Sequence, residues 1–282
     1  MSNGHPKILH KEKIHLTASQ NKMIISGWGE DVINNTIVER ITYLSDGLKI
    51  PGYVAYPNDQ SKKYPCIIWN RGGYENKGVI DQFSARGMFG QIASWGYVVF
   101  ASQYRGNARS EGKEEVGGSD INDILNLIPL ANYFTFADNE RWGIEGWSRG
   151  GMMTFLTLLR NPNFRCAVLV GAISNFKYYV QSSDSRNSIY KKIIGEKDFE
   201  KKLEERTITN FIDRLPNIPY LIMHGKNDGT VPVEQSINIA AKFRELNYDY
   251  RLMLFEGGDH YLKKHRKEVD EMRKKWYEKY LK

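Results

Sequence analysis

Cysteine is scarce in this chain of 282 residues, which contains only two. Cys66 lies in the apolar run YPCIIW and Cys166 lies in the apolar run FRCAVLV. A reduced cysteine in such surroundings packs as a small hydrophobic side chain. We therefore expect no disulfide between them, in keeping with a reducing compartment.

Long apolar segments are also missing, since no stretch approaches the roughly 20 residues that a membrane helix needs. The opening residues, MSNGHPKILHKEKIHL, lack the apolar core and the small-residue cleavage site of a signal peptide. We therefore expect a cytoplasmic protein without a membrane partner.

The charge excess is modest, because 40 Lys and Arg stand against 33 Asp and Glu, for a net charge of +7. The most basic stretch, KKHRKEVDEMRKKWYEKYLK, mixes both signs and places Val269, Met272, Trp276 and Tyr280 at helical spacing. This pattern predicts an amphipathic closing helix with a solvated basic side. We expect no nucleic-acid partner, and a docking surface for an anion on this helix stays open as the alternative.

Nucleotide and metal motifs are absent from the sequence as well. Residues 73–78, GYENKG, have the glycine spacing of a phosphate-binding loop, but Val79 stands where that loop needs lysine. The chain contains no GxGxxG, no HExxH and no clustered cysteines. The sequence therefore indicates chemistry that needs neither a cofactor nor a metal.

What the sequence does contain is an alternation of strand-like and helix-like segments. Residues 36–45 and 48–56 are β-rich and flank Asp46-Gly47, a signal for a two-residue hairpin. Short apolar runs of the kind buried in parallel sheets follow: CIIWN (66–70), YVVFAS (97–102), WGIEGW (142–147), CAVLVGA (166–172), YLIMHG (220–225) and YRLMLFEG (250–257). Segments with apolar residues three and four apart lie between these runs.

This alternation predicts an α/β domain over residues 36–282, with residues 1–35 as an N-terminal extension. We expect a mainly parallel central sheet with helices on both faces and the antiparallel hairpin at its N-terminal edge. Residues 174–217 break the alternation with aromatic, polar and charged stretches. They form either a lid-like insertion over a site or extra helices that only pack.

The stretch GWSRGG, residues 146–151, lies where a strand-like run ends and a helix-like run begins. A strand that turns directly into a helix holds the residue between them in a strained, exposed conformation, and flanking glycines leave room for it. The spacing GxSxG in this context is typical of a nucleophilic serine. We therefore expect Ser148 to be the nucleophile of an acyl-transfer reaction.

A serine needs a base within hydrogen-bond reach, and the base needs an orienting acid. In enzymes with this nucleophile turn the acid and then the histidine follow the serine along the chain. Asp228 and His260 fit, since each lies in a loop directly after a predicted strand.

The five other histidines are weaker candidates for the base. Three precede the core, His224 ends a strand where a structural role is expected, and His265 falls in the closing helix. Asp259, next to His260, is expected to be a turn or capping residue.

Acyl transfer also needs donors for the developing oxyanion. We expect one to be the backbone N–H of Arg149 and the other that of Gly73, in the loop NRGGY after the strand CIIWN. Paired glycines at 72 and 73 let the backbone approach a substrate closely.

Taken in order, these residues resemble the catalytic domain of the prolyl oligopeptidase family of serine peptidases, in the α/β-hydrolase superfamily. The resemblance spans roughly residues 40 to 280. It rests on YLSDGLKIPGYVAYP, NRGGY, VVFASQYRGNARSEG, GWSRGG and LIMHGKNDGTVP followed by GGDH. It implies an α/β-hydrolase fold and hydrolysis through an acyl-enzyme on Ser148, with Asp228 and His260 as its relay.

One departure concerns Arg71, where members of the family carry tyrosine or histidine. A guanidinium does not replace a phenol, so Arg71 either attracts an anionic substrate group or pairs with a neighbour. Tyr74, Tyr178, Tyr179 and Tyr190 are further candidates for substrate binding, and packing is the alternative for each aromatic residue of the insertion.

The sequence thus predicts a serine hydrolase acting on a short peptide, an amide or a small ester. It does not separate a peptidase from a carboxylesterase. A hydrolase fold retained as a non-catalytic binding protein is the alternative from another class. The oligomeric state stays open, a homodimer included.

Overall fold

The structure is a computed structural model that describes residues 5–282. The chain divides into two compact units. Within the described residues, the first unit comprises 5–71, 75–113 and 122–143, and the second comprises 72–74, 114–121 and 144–282.

The first unit contains six strands, the last of which continues into the second unit. Its elements are β1 (Ile8–Lys13), α1 (Ala18–Trp28), α2 (Glu30–Asn34), β2 (Thr36–Ser45), β3 (Leu48–Pro57), β4 (Tyr64–Asn70), α3 (Gln82–Ser94), β5 (Val98–Ser102), α4 (Ile121–Leu125), a 3₁₀ helix (Ile128–Tyr133) and β6 (Ala137–Trp147). The strand order is β1-β2-β3-β5-β4-β6. β1, β2, β3 and β5 are joined by antiparallel pairings, whereas β4 and β5 run parallel.

The predicted hairpin is confirmed. β2 and β3 pair in register from Thr36 opposite Pro57 to Ser45 opposite Leu48. Asp46 and Gly47 both have positive φ, 49° and 83°, as the tight turn between twisted strands requires. β1, which lies in the predicted N-terminal extension, pairs with β2 and lies outside the hairpin at the edge of the sheet.

The second unit carries the remaining strands and most of the helices. Its elements after β6 are α5 (Arg149–Arg160), β7 (Cys166–Val170), α6 (Phe176–Gln181), α7 (Asp184–Ile194), α8 (Phe199–Glu204), 3₁₀ helices (Ile208–Asn210 and Ile212–Arg214), β8 (Tyr220–Gly225), α9 (Glu234–Glu245), β9 (Tyr250–Phe255), a 3₁₀ helix (Lys263–His265) and α10 (Arg266–Tyr280). The strand order continues β6-β7-β8-β9, and β7, β8 and β9 run parallel. α5, α9 and α10 pack on these strands.

These elements confirm the predicted α/β fold, with a mainly parallel sheet and surrounding helices. β7 and β8 are buried along their whole length, as their continuous apolar runs predict. Both cysteines are free and buried. Among residues 5–282, no helix combines the length and the apolar character needed to cross a membrane.

Residues 174–217 form the three short helices α6, α7 and α8 and two 3₁₀ turns. The N-caps Asn175 and Ser183 each accept a hydrogen bond from a backbone N–H of the first turn of their helix. Whether this segment acts as a lid stays a prediction, as do the domain boundaries at residues 35 and 36.

The closing helix α10 differs from its predicted stripe. Its buried residues are Val269, Arg273, Trp276 and Tyr277, while Met272 is only half-buried. Helical spacing indicates which side of a helix faces inward. An arginine on that side is nevertheless expected to be exposed to solvent, unless a buried acid is known that pairs with it.

That acid is Glu145 on β6, which is fully buried. Its carboxylate accepts hydrogen bonds from the Arg273 guanidinium at 2.8 and 3.0 Å, from the Trp147 indole N–H at 2.6 Å and from the Tyr277 hydroxyl. Burial, and then the neighbouring carboxylate, raise the pKa of Tyr277, so its hydroxyl remains a donor. This cluster ties α10 to the strand that leads into Ser148.

Removing the arginine should be costly, because a buried carboxylate that loses its counter-charge is strongly destabilising. We expect Arg273→Met to lower the free energy of unfolding by about 3 kcal/mol in urea denaturation. Lys275→Met is the control on the same helix, since Lys275 pairs with Glu271 at 2.6 Å on the exposed side. A loss no larger than that of the control would show that the cluster does not hold α10.

Candidate active site

Ser148 lies at a sharp turn between β6, which ends at Trp147, and α5, which begins at Arg149. Its φ of 57° and ψ of −125° are unfavourable for a residue with a side chain. The turn is held from both sides: the Ser148 N–H donates to the Val170 carbonyl at 2.8 Å, and the Ser148 carbonyl accepts from the Gly151 N–H at 2.9 Å. The surrounding backbone thus imposes the strained conformation that the sequence predicts.

The glycines around Ser148 are required by close backbone contacts. A Cβ on Gly146 would lie 2.1 Å from the Gly150 carbonyl oxygen, and a Cβ on Gly151 would lie 2.2 Å from the Ala172 Cβ. Neither contact can be relieved by turning a flexible side chain. The first turn of α5 can therefore pack against β6 and the end of β7 only when residues 146 and 151 lack a side chain.

Asp228 and His260, the predicted acid and base, are in contact. The His260 Nδ1 lies 2.6 Å from the Asp228 Oδ2, the carboxylate is fully buried, and the imidazole is 12% exposed. The other carboxylate oxygen, Oδ1, accepts from the N–H groups of Thr230 and Val231 at 2.8 and 2.9 Å. A proton on Nδ1 donated to the carboxylate leaves Nε2 as the basic nitrogen.

The neighbouring Asp259 is not part of this pair. Its carboxylate accepts from the Lys263 N–H at 3.0 Å, at the 3₁₀ turn that precedes α10. This contact confirms the predicted turn or capping role.

The end of β7 lies between the nucleophile turn and the acid–base pair. Val170 accepts the Ser148 N–H, and a Cβ on the next residue, Gly171, would lie 3.4 Å from both Asp228 Oδ2 and His260 Nδ1. Gly171 has a φ of 53°, which glycine adopts without strain. The same short stretch of backbone thus binds the Ser148 N–H and leaves no spare room for a side chain beside the His260–Asp228 pair.

His224, which sequence reasoning treated as structural, also contacts the acid. Its Nε2 lies 3.1 Å from Asp228 Oδ2 and 3.0 Å from the Val231 carbonyl, and its Nδ1 lies 2.7 Å from the Ser236 hydroxyl. The side chain is fully buried. The Asp228 carboxylate is therefore bounded by two imidazoles, and the four-residue spacing from His224 was the available sequence signal.

These contacts keep Asp228 ionised. Burial by itself raises the pKa of the Asp228 carboxyl, but hydrogen bonds from His224, His260 and the Val231 N–H together hold the pKa below its ordinary value. The carboxylate is thus available to orient His260 at neutral pH.

A pKa that is lower in the folded chain than in the unfolded chain contributes stability that is lost as the pH falls. We expect the wild type to lose more free energy of unfolding than Asp228→Asn between roughly pH 5 and roughly pH 2, because asparagine does not titrate. Urea denaturation across this range measures the difference. An equal loss of free energy of unfolding in the two proteins as the pH falls would contradict the prediction.

The glycine loop predicted to hold an oxyanion donor lies against the nucleophile. A Cβ on Gly72 would lie 3.1 Å from the Ser148 Cβ and 3.6 Å from its Oγ. Gly73 has a φ of 73°, and its carbonyl accepts a hydrogen bond from the Arg149 guanidinium at 2.8 Å. Gly72, Gly73, Ser148 and Arg149 thus belong to one local arrangement in the second unit.

The model of the prolyl oligopeptidase family matches residues 83–282, a range that includes Ser148, Asp228 and His260. The chain belongs to the prolyl oligopeptidase family. Membership makes the protein a serine hydrolase and confirms the resemblance on which the sequence prediction rests.

Relatives within the family include short and long proteins. The chain is 29% identical over 224 residues to a protein of Bacillus subtilis described as the uncharacterized peptidase YtmA, covering 78% of this chain and 85% of that one. It is 26% identical over 209 residues to the prolyl endopeptidase FAP of Mus musculus, covering 72% of this chain. The match spans only 27% of that longer enzyme.

Solved structures agree in fold. An acylaminoacyl peptidase of Pyrococcus horikoshii superimposes with a TM-score of 0.76 at 23% identity, over 96% of this chain and 45% of that chain. An acylaminoacyl peptidase solved in complex with Z-Gly-Gly-Phe-chloromethyl ketone gives the same TM-score at 24% identity, over 88% and 42%. At these identities the similarity establishes the α/β-hydrolase fold.

The predicted substrate-binding tyrosines differ in exposure. Tyr178 is 58% exposed, whereas Tyr179 and Tyr190 are buried. Tyr190 contacts Tyr74 and Tyr179 edge-on, with ring centroids 5.7 and 6.4 Å apart. The Arg186 guanidinium lies 4.5 Å from the Tyr179 ring centroid. Tyr74, Tyr179 and Tyr190 therefore form an aromatic cluster, while Tyr178 faces solvent.

Arg71 belongs to the first unit and is 1% exposed. Its guanidinium donates to the carbonyls of Gln103, Glu75 and Lys77, at 3.0, 3.4 and 3.3 Å, and lies 5.1 Å from the Tyr104 ring centroid. These contacts use the guanidinium to support the loop that follows Arg71. Attraction of an anionic substrate group stays a prediction, and the burial of the side chain disfavours it.

Proposed function

We propose that the protein is a serine peptidase that cleaves a short peptide or amide through an acyl-enzyme on Ser148. His260 acts as the general base, and Asp228 orients it. The observation that carries the proposal is the 2.6 Å contact of His260 with the buried Asp228, combined with a serine at a strained strand-to-helix turn. Relatives described as peptidases support a peptide substrate.

In the first half of the reaction, the Ser148 Oγ attacks the carbonyl carbon as its proton passes to His260 Nε2. The carboxylate of Asp228 stabilises the imidazolium that results. Collapse of the tetrahedral intermediate breaks the scissile bond, and the proton on Nε2 leaves with the amine. Water then repeats the sequence on the ester of Ser148 and releases the acid.

The oxyanion is stabilised by the backbone N–H groups of Arg149 and Gly73. The first stands at the start of α5, where the helix dipole favours negative charge. The second lies in the loop whose Gly72 approaches the Ser148 side chain. Two backbone donors of this kind contribute most when they are already in place before the reaction.

In this proposal, the insertion at residues 174–217 contributes aromatic residues that border the substrate site. Tyr179 and Tyr190 come from α6 and α7, and Tyr74 follows the predicted oxyanion loop. Arg186 of α7 also donates to the Thr230 carbonyl, at 3.5 Å, in the loop that follows Asp228. The insertion thus connects to the acid loop and is suited to limit the size of the substrate.

The nucleophile is tested with a fluorophosphonate probe. We expect labelling at Ser148, complete loss of labelling in Ser148→Ala, and a fall in turnover of about a millionfold. Ser94→Ala is the control, because Ser94 ends α3 and donates to the Gln91 carbonyl. Labelling that persists in Ser148→Ala would overturn the assignment.

Peptidase and esterase activity are separated by a substrate panel. We expect a peptidyl p-nitroanilide and a short-chain p-nitrophenyl ester both to be hydrolysed, with the Ser148→Ala variant inactive on each. Turnover of the ester alone would make the protein a carboxylesterase. Turnover of neither substrate, with no labelling, would favour a non-catalytic binding protein.

A further inference from the structure

The backbone and the side chain of Arg149 have different places in the site. Its backbone follows the nucleophile and begins α5, while its side chain is 1% exposed. A cation in the first turn opposes the helix dipole, and its burial costs solvation. Such a side chain persists only where specific partners compensate both costs.

Those partners are two acids and the glycine loop. The guanidinium Nη1 donates to the Glu114 carboxylate and, at 2.8 Å, to the Gly73 carbonyl, while Nη2 donates to Asp120 at 3.1 Å. Both acids are buried, and Asp120 also accepts the Gly117 N–H at 2.8 Å. Two acids of segment 114–121 therefore hold the guanidinium next to the Gly73 carbonyl.

These contacts link the side chain of Arg149 back to Ser148 through the glycine loop. Arg149 is bonded covalently to Ser148, its guanidinium holds Gly73, and the neighbouring Gly72 lies against the Ser148 side chain. Gly73 has a φ of 73°. Glycine adopts positive and negative φ about equally readily, so the residue itself does not favour this conformation. The hydrogen bond from Arg149 supplies the constraint that a glycine lacks.

We propose that the Arg149 guanidinium is a positioning group that sets the spacing between the two oxyanion donors, the N–H of Gly73 and the N–H of Arg149. The inference rests on the proposed function and adds the acidic segment 114–121 to it. Glu114 and Asp120 act on the reaction only through the guanidinium that they orient.

Lysine cannot take over this position. Three acceptors are bound by two nitrogens of the guanidinium, and the planar fork of arginine reaches them from one rigid group. An ammonium group is shorter and more strongly hydrated, so it would satisfy an acid and release the Gly73 carbonyl.

The test compares Arg149→Lys and Arg149→Met with the wild type, using the peptidyl p-nitroanilide and p-nitrophenyl ester of the panel. Because misplacing a reacting group by about 1 Å can cost about a hundredfold, we expect kcat to fall about a hundredfold while KM changes less than about threefold. The second-order rate of fluorophosphonate labelling should fall in parallel. Thermal unfolding identifies the variants that remain folded.

Arg86→Met is the matched control. Arg86 is also a buried arginine, but it lies in the first unit, where it donates to the Thr36 hydroxyl at 2.8 Å and to the carbonyls of Ile33 and Thr36, both at 3.1 Å. We expect Arg86→Met to lower stability but to leave kcat within about threefold of the wild type. An equal loss of kcat in both variants would show a merely structural role for Arg149.

Chemical rescue provides a second readout that does not depend on Arg149→Met folding well. Methylguanidinium at millimolar concentration should raise kcat of Arg149→Ala at least about tenfold, whereas methylammonium should not. Absence of rescue, or wild-type kcat in a folded Arg149→Lys or Arg149→Met variant, would overturn the inference. Failure of the proposed function is distinguishable, because it shows as unlabelled Ser148 in the wild type.

Discussion

The proposed active site in the second unit depends on a backbone conformation of Ser148 that a serine does not adopt by itself. Strain of this kind costs of order 1–3 kcal/mol and persists only where the surroundings impose it. Here the surroundings are the end of β7, the first turn of α5 and two glycines that let strand and helix meet. The position of the nucleophile is therefore a property of three elements rather than of the motif alone.

Buried charge is the second device that organises this region, and it is used on both sides of the serine. Glu145, three residues before Ser148, is held by Arg273 and Tyr277 of the closing helix. Arg149, directly after it, is held by Glu114 and Asp120. Burying each cluster costs solvation free energy. The hydrogen-bonded ion pairs offset this cost, and they fix the orientation of the side chains in a way that apolar packing cannot. The two ion clusters thus fix the strand before the nucleophile and the helix after it.

The acid–base pair follows the same logic. Asp228 has both carboxylate oxygens engaged, Oδ1 by two backbone N–H groups and Oδ2 by two imidazoles. A carboxylate bound in this way has little freedom to rotate, so the position of the His260 Nδ1 that contacts it is constrained as well. Gly171 completes the arrangement, because a side chain there would contact both partners.

From residue 36 onward, local periodicity and turn chemistry were enough to predict the alternation of strands and helices, the turn at Asp46-Gly47 and the positions of Ser148, Asp228 and His260 at the ends of elements. The sequence did not predict β1, α1 and α2. It did not identify Arg273 as buried, His224 as a partner of Asp228, or the Arg149 side chain as a support for Gly73. The first and the last of these depend on a group far away in the chain: Glu145 is 128 residues from Arg273, and Gly73 is 76 residues from Arg149. His224 is only four residues from Asp228, but their contact depends on how the loop after β8 folds back on the end of that strand. A charged side chain looks solvent-exposed in a sequence, and only the tertiary structure, by bringing its counter-charge and its acceptors to it, decides that it is buried.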